Sequence, residues 1–164
     1  MKENHILIGL GGTGGKVLKA FRKRLYQEYN DDERAKLPIA FLYVDSSTEE
    51  MMPGDKTWYV LGKNAQFTAN EFVNVKGVDI KSILANPKNY PGLKGLIGDG
   101  EVMAKTIGEV GAAAAQKRRA GRILFGSSVE NYKSALLGAY DRVNKITHAE
   151  RTNIYIFTGL AGGT

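Results

Sequence analysis

The residues best placed to do chemistry are five glycines packed into seven positions, Gly9 to Gly15, just after Ile6-Leu7-Ile8. Glycine reaches φ > 0 without steric cost and holds no side chain between the backbone and a ligand. An amphipathic pattern follows at once, so the first-turn N–H groups of a helix would open directly onto this turn. Those N–H groups lack intrahelical partners, and the helix dipole favours an anion beside them. The chemistry predicted here is phosphate binding by backbone amides. Gly9, Gly11 and Gly14 satisfy G-x-G-x-x-G, a dinucleotide fingerprint. A Walker loop ending at Gly15-Lys16 is excluded, because Leu10 stands where its first glycine belongs and Val17 where Ser or Thr is required. A turn that uses its glycines for packing alone is the plainer alternative, although such a turn needs one or two glycines rather than five.

Asp45 is the second candidate. It closes the apolar run Ile39 to Val44 and is followed by Ser46-Ser47-Thr48. A carboxylate at the end of a parallel strand can take ribose hydroxyls or face a magnesium-bound water. It can equally cap a turn or helix. A third candidate is the small-residue stretch Gly108 to Ala115, which includes Gly111, Ala112 and Ala113 and runs into the basic cluster Lys117 to Arg122. It reads either as a second phosphate-contacting loop assisted by Arg118 and its neighbours, or as an alanine-rich helix start with a solvated basic face. The chain then closes on Thr158-Gly159-Leu160-Ala161-Gly162-Gly163-Thr164 after the apolar run Ile154 to Phe157.

The elements that must position these groups follow from the hydrophobic pattern. Ile6 to Ile8 and Ile39 to Val44 are continuous apolar runs, as suits parallel strands covered on both faces. Between them a helix extends to about Tyr29, with Val17, Leu18, Phe21 and Leu25 on its apolar face and Lys16, Lys19, Arg22 and Lys23 turned away. Strand–helix–strand implies a right-handed crossover. The acidic stretch Asn30 to Glu33 reads as a solvated turn, and Lys56 to Leu61 as a short third strand. Ser127 and Glu130 match a capping box ahead of a core helix carrying Val129, Tyr132, Leu136, Ala139, Tyr140, Val143 and Ile146, with Gly126 breaking the pattern before it. Gly126-Ser127-Ser128 lacks the second glycine of a nucleophile elbow. Residues 49 to 110 yield no chemistry and read as a surface elaboration. The expected fold is α/β, a Rossmann-like three-layer parallel sheet in the order 3-2-1-4, in one domain spanning 1-164.

Composition narrows the function classes. The 164 residues carry a formal net charge of +6, no cysteine and two histidines. A disulfide framework and a thiolate metal site are excluded, and His5 and His148 have no ligand spacing. No run approaches the roughly 18 apolar residues of a membrane span, and no signal-peptide pattern follows Met1. A cytoplasmic protein with no membrane partner is expected. The basic cluster has no interleaved aromatic residues for base stacking, so no nucleic-acid partner is expected.

Taken in order, these motifs resemble the tubulin/FtsZ superfamily, and the bacterial tubulin-like proteins in particular. Gly-Leu-Gly-Gly-Thr-Gly-Gly resembles that family's first phosphate loop. Phe-Leu-Tyr-Val-Asp is similar to its second strand and loop, and Gly-Ala-Ala-Ala-Ala to its Gly-Ala-Gly loop. Phe-Thr-Gly-Leu-Ala-Gly-Gly-Thr looks like the start of the tubulin signature, with Ala161 at its first glycine. Residues 77 to 108 resemble an insertion relative to FtsZ. The resemblance implies a nucleotide-binding domain for GTP or GDP with Mg2+, a GTPase when full length, and head-to-tail self-association into filaments. It implies phosphate contacts from Gly11, Gly12, Thr13 and Gly14, and places Asp45 near ribose or magnesium. It also implies an approach to the γ-phosphate by Gly111, Ala112 and Ala113, help from Arg118, and a cradle completed by Gly162, Gly163 and Thr164. The family's water-activating and guanine-reading residues lie beyond its signature, so this sequence is expected to be the amino-terminal half of the domain, without turnover of its own. Two other readings stand beside it. One is an NAD-binding oxidoreductase domain, in which Asp45 stands farther along than the usual spacing of about 20 residues. The other is a non-catalytic assembly module with a degenerate pocket.

Overall fold

The computed structural model describes residues 3–76, 79–97, 102, 103, 105 and 118–160. The first apolar run forms β1 (Glu3–Leu10), and the glycine-rich segment is itself the start of α1 (Gly11–Glu28). The acidic stretch is not a turn but a short helix, α2 (Asp31–Ala35), because Asn30 caps it: its side chain accepts from Glu33 N and the Glu33 carboxylate accepts from Asn30 N. Strand β2 (Ile39–Asp45) follows.

The predicted third strand at Lys56 to Leu61 is replaced by a 3₁₀ turn, Lys56–Trp58, and a small antiparallel hairpin of β3 (Tyr59–Val60) and β4 (Lys63–Asn64). The turn residues Leu61 and Gly62 both have positive φ, 48° and 77°, as a two-residue hairpin loop of matching twist requires. The strand that joins the main sheet is β5 (Phe72–Asn74). Beyond it come α3 (Ile80–Ala85), 3₁₀ turns at Pro87–Asn89 and Pro91–Leu93, α4 (Arg118–Ser127), α5 (Val129–Thr147) and β6 (Arg151–Thr158).

The main sheet is parallel in the order β5-β2-β1-β6, which is 3-2-1-4 when its own four strands are counted. Both faces of β1 and β2 are covered. Leu7, Phe41 and Tyr43 point toward α1 and share a core with Leu18, Trp58 and Phe67. Ile6, Ile8, Ala40, Leu42 and Val44 point the other way, onto Ala139 and Val143 of α5. This double cover is why the strands read as unbroken apolar runs. Residues 49 to 75 are not only a surface elaboration: Trp58 and Phe67 join the core under α1, Val75 joins the one under α5, and Ala65 is also buried. A third cluster joins α3, Leu93 and α4.

Two local readings change. Gly126 lies inside α4 because the backbone at Gly92 packs on it; a Cβ built at Gly92 would fall 2.2 Å from Gly126 O. The Ser127–Glu130 capping box does not form, since Ser127 Oγ donates to Leu124 O within its own helix and Ser128 takes the cap position. Of the face predicted for α5, Tyr140 and Ile146 are exposed.

Helix α1 is also rotated from the predicted face. Its buried stripe is Gly11, Gly14, Gly15 and Leu18, because the glycines let the helix backbone lie on the sheet. One turn beyond Leu18, Arg22 is carried inward. It pairs with Glu71 at 2.7 Å, both side chains nearly buried, and lies over the Phe41 and Phe67 rings. Val17 and Phe21 are left exposed and line an apolar groove with Leu7, Tyr155 and Phe157.

Among the described residues β6 pairs only with β1, and Ile154, Tyr155 and Ile156 are exposed. An uncovered apolar edge recruits another strand. The chain is therefore expected to self-associate through β6, giving a concentration-dependent mass in light scattering that Ile156→Lys returns to the monomer value. A wild-type chain that stays monomeric at every concentration would show that this edge is inert.

Candidate phosphate-binding site

Register brings the candidate loops to one end of the sheet. Leu10 aligns with Val44 on one side and Thr158 on the other, and Asp45 aligns with Asn74. The carboxyl ends of the four strands thus lie at one end of the sheet, the usual place for ligands in such folds.

At its centre β1 passes into α1 without a spacer. Leu10 occupies the cap position in extended conformation, no side chain caps the helix, and no acidic residue lies in its first turn. The first N–H groups of a five-turn helix, with their dipole, are therefore offered to an outside acceptor. Gly11 has φ 66°, the left-handed geometry that lets a strand become a helix within one residue.

The glycines divide by role. A Cβ at Gly9 would lie 2.7 Å from Gly14 O, one at Gly14 2.3 Å from Phe157 O, and one at Gly15 2.6 Å from the Tyr43 ring. These three are packing glycines; they seat α1 against β1, β6 and Tyr43. Gly12 differs. It is exposed, and a Cβ there would meet nothing within 4 Å. Packing gives no reason for glycine at this position, which is where a ligand would reach the backbone. Thr13 is exposed beside it, and a Cβ built at Gly159 would fall 2.8 Å from Thr13 Oγ1. The first loop and the segment after β6 therefore meet.

Asp45 is buried at the end of β2. Its Oδ2 accepts from the Tyr43 hydroxyl at 2.6 Å and its Oδ1 from Ser47 N at 3.1 Å. Burial, and then this hydrogen bond, push the Tyr43 hydroxyl far above its ordinary range. Tyr43 thus holds the carboxylate with its hydroxyl, and the same end of its ring packs on Gly15. Sequence reasoning missed it, although an alternating Tyr-x-Asp at a strand end was the signal available. Tyr43→Phe is expected to cost about 2 kcal/mol in urea denaturation near neutral pH, since it leaves a buried carboxylate oxygen unpaired. Because the folded-state value is raised, the tyrosine's contribution is complete below its unfolded value of about 10 and is lost as pH rises past it. The alkaline decline of wild-type stability should therefore be shallower in the variant.

Other predicted residues are less connected. Arg118 and Arg119 are exposed at the start of α4, which packs on α3 and the Pro91–Leu93 turn. Gly111, Ala112, Ala113, Gly162, Gly163 and Thr164 lie outside the described residues. Among the described residues no group of three or more His, Cys, Asp or Glu side chains could hold a metal ion, and no helix is long and apolar enough to cross a membrane.

A family model described as tubulin like matches residues 6–164. The chain belongs to the tubulin-like family. The match spans every candidate loop of this tubulin-like chain, from the β1–α1 junction to the segment after β6. Neither a curated protein nor a solved structure matches it.

Proposed function

We propose that this chain binds the phosphates of GTP or GDP, with Mg2+, at the β1–α1 junction. The observation that carries the reading is Gly12, an exposed glycine without a packing role on an uncapped helix start, in a tubulin-like chain. Backbone amides of Gly11, Gly12, Thr13 and Gly14 supply the contacts, with Gly14 also fixing the helix against β6. The Thr13 hydroxyl stands where it can reach the same oxygens. Asp45, held by Tyr43, serves the ribose or a magnesium-bound water. Gly111, Ala112 and Ala113 approach the γ-phosphate, Arg118 adds positive charge, and Gly162, Gly163 and Thr164 complete the cradle. The bound Mg2+ would neutralise phosphate charge. These glycines and threonine bring no general base, so their contribution is binding. Hydrolysis and head-to-tail filament formation are further activities proposed for this tubulin-like protein.

Calorimetry with Mg–GTP, Mg–ATP and NAD tests the reading. Binding of a nucleoside triphosphate that is lost in Gly12→Val supports it. NAD binding without triphosphate binding would overturn it in favour of a dinucleotide site. The arginines have a separate signature: Arg118→Ala with Arg119→Ala is expected to weaken triphosphate binding several-fold more than diphosphate binding, as charge-assisted contacts to a terminal phosphate would. Equal loss for both nucleotides would remove these arginines from the site. Tight, steeply salt-dependent binding to DNA, abolished by the same pair, would assign the patch to nucleic acid instead.

A further inference from the structure

On the far side of the sheet from α1, a cavity of about 560 Å³ lies between β5 and α5, within the size range of small-ligand pockets. One face of α5 supplies Asn131, Ser134, Gly138 and Arg142, which recur at helical spacing. The β5 side supplies Asn70 and Asn74. Arg142 lines the cavity and is half-buried, and its Nη2 is fully buried and donates to no partner among the described residues. A guanidinium stays charged in a protein, and a buried donor without an acceptor is costly. None of the residues lining the cavity is acidic, so the site holds a cation and neutral amides but no counter-charge. Gly138 keeps the floor low. A Cβ there would meet only Arg142 Nη1, at 3.7 Å, an ordinary contact, so helix packing does not demand glycine, and its absence of a side chain leaves the space over the guanidinium open.

We propose that this cavity is a carboxylate-binding site, with Arg142 as the charged anchor and Asn131, Ser134 and Asn74 as neutral hydrogen-bonding partners. One planar guanidinium fork matches one carboxylate in geometry and in charge. A phosphate dianion would call for further cations that the lining lacks. The carboxylate belongs either to a free small molecule or to an acidic side chain of an extended peptide. The peptide has a second handle, because β5 pairs only with β2 among the described residues and its outer edge is open.

The test is a titration of ¹⁵N-labelled chain with sodium acetate against matched sodium chloride. It follows the Ser134 and Gly138 backbone amides and the Asn131 side-chain amide. Saturable shifts with acetate alone are expected, with affinity at least tenfold weaker in Arg142→Gln and lost in Gly138→Leu, which fills the cavity while keeping the cation. Arg142→Gln removes a partly buried guanidinium whose Nη2 has no hydrogen-bond partner among the described residues, so its melting temperature should equal or exceed that of the wild type. Shifts that fail to saturate, or that survive both substitutions, would overturn the proposal. Inorganic phosphate binding tenfold tighter than acetate would overturn the carboxylate assignment. N-acetylglutamate methylamide separates the sources. At least fivefold tighter binding than acetate, with shifts at the Val73 and Asn74 amides, assigns the site to a peptide; equal affinity assigns it to a free carboxylate.

Discussion

Gly14→Ala is expected to destabilise the protein by about 3 kcal/mol, at the upper end of ordinary overpacking costs. The added Cβ would lie 2.3 Å from Phe157 O and 2.8 Å from Gly9 C. Both are backbone atoms of paired strands, near the carboxyl ends of β6 and β1, and cannot turn aside as a flexible side chain would. Either α1 lifts from β1 or β6 shifts from its register with β1, and in both cases the core around Leu18 and Leu7 opens. Alanine's better helix propensity returns at most about 1 kcal/mol. In a chain of this length the net loss corresponds to a fall of roughly 10 °C in melting temperature. Urea denaturation of wild type and variant, with unchanged slope, is the check. A variant as stable as the wild type would mean that α1 does not rest on β6 at Gly14.

Gly12→Val is expected to do the opposite, sparing stability and removing nucleotide binding. A Cβ at Gly12 meets nothing within 4 Å, and valine is no worse than glycine in a helix, so the melting temperature should hold or rise slightly. The isopropyl group would, however, stand between the amides of the first turn and an incoming phosphate. Loss of one or two charge-assisted hydrogen bonds, each worth about 1.5–3 kcal/mol, amounts to about a hundredfold loss of affinity for Mg–GTP. The contrast between two glycines two residues apart separates the architectural role of this loop from its binding role. If Gly12→Val unfolds the protein while Gly14→Ala leaves it intact, the two roles have been interchanged.

The same glycines show where the sequence was legible and where it was not. The flanking strands β1 and β2 and the end of α1 follow from unbroken apolar runs and helical periodicity, whereas the glycine segment read as a turn is the first part of α1, which starts at Gly11. Glycine count, in contrast, overstated the case for a ligand. Gly9, Gly14 and Gly15 are required by close backbone or ring approach, and that approach depends on where β6 and Tyr43 come to rest. No local pattern reports it. The third sheet strand was hidden for a related reason. Phe72–Asn74 is too short to show a period and is a strand because β2 offers it a partner. The stronger apolar signal, Trp58-Tyr59-Val60, is turned into a hairpin by Leu61-Gly62 and buries Trp58 under α1 instead.

Arg22 misleads in the same direction. By pattern it belongs with Lys16, Lys19 and Lys23 on a solvated face. The glycine stripe turns α1 so that Arg22 meets Glu71 and the Phe41 and Phe67 rings, while Val17 and Phe21 face outward. A helix seated by its backbone does not obey a moment calculated from its side chains. Asp45 shows a different limit. Its place at the strand end was legible, and Tyr-x-Asp spacing put Tyr43 on the same face, but the hydrogen bond itself depends on the Tyr43 ring lying under Gly15.

Gly12 and Thr13 stand at the centre of the proposed phosphate site, and Gly159 packs against Thr13 beside them. The most direct test follows the backbone amides of these three residues in ¹⁵N-labelled chain during titration with Mg–GTP. Saturable shifts at all three with a shared dissociation constant are expected, absent in Gly12→Val. Saturable binding that leaves Gly12, Thr13 and Gly159 unmoved, or that persists unchanged in Gly12→Val, would contradict this placement of the site.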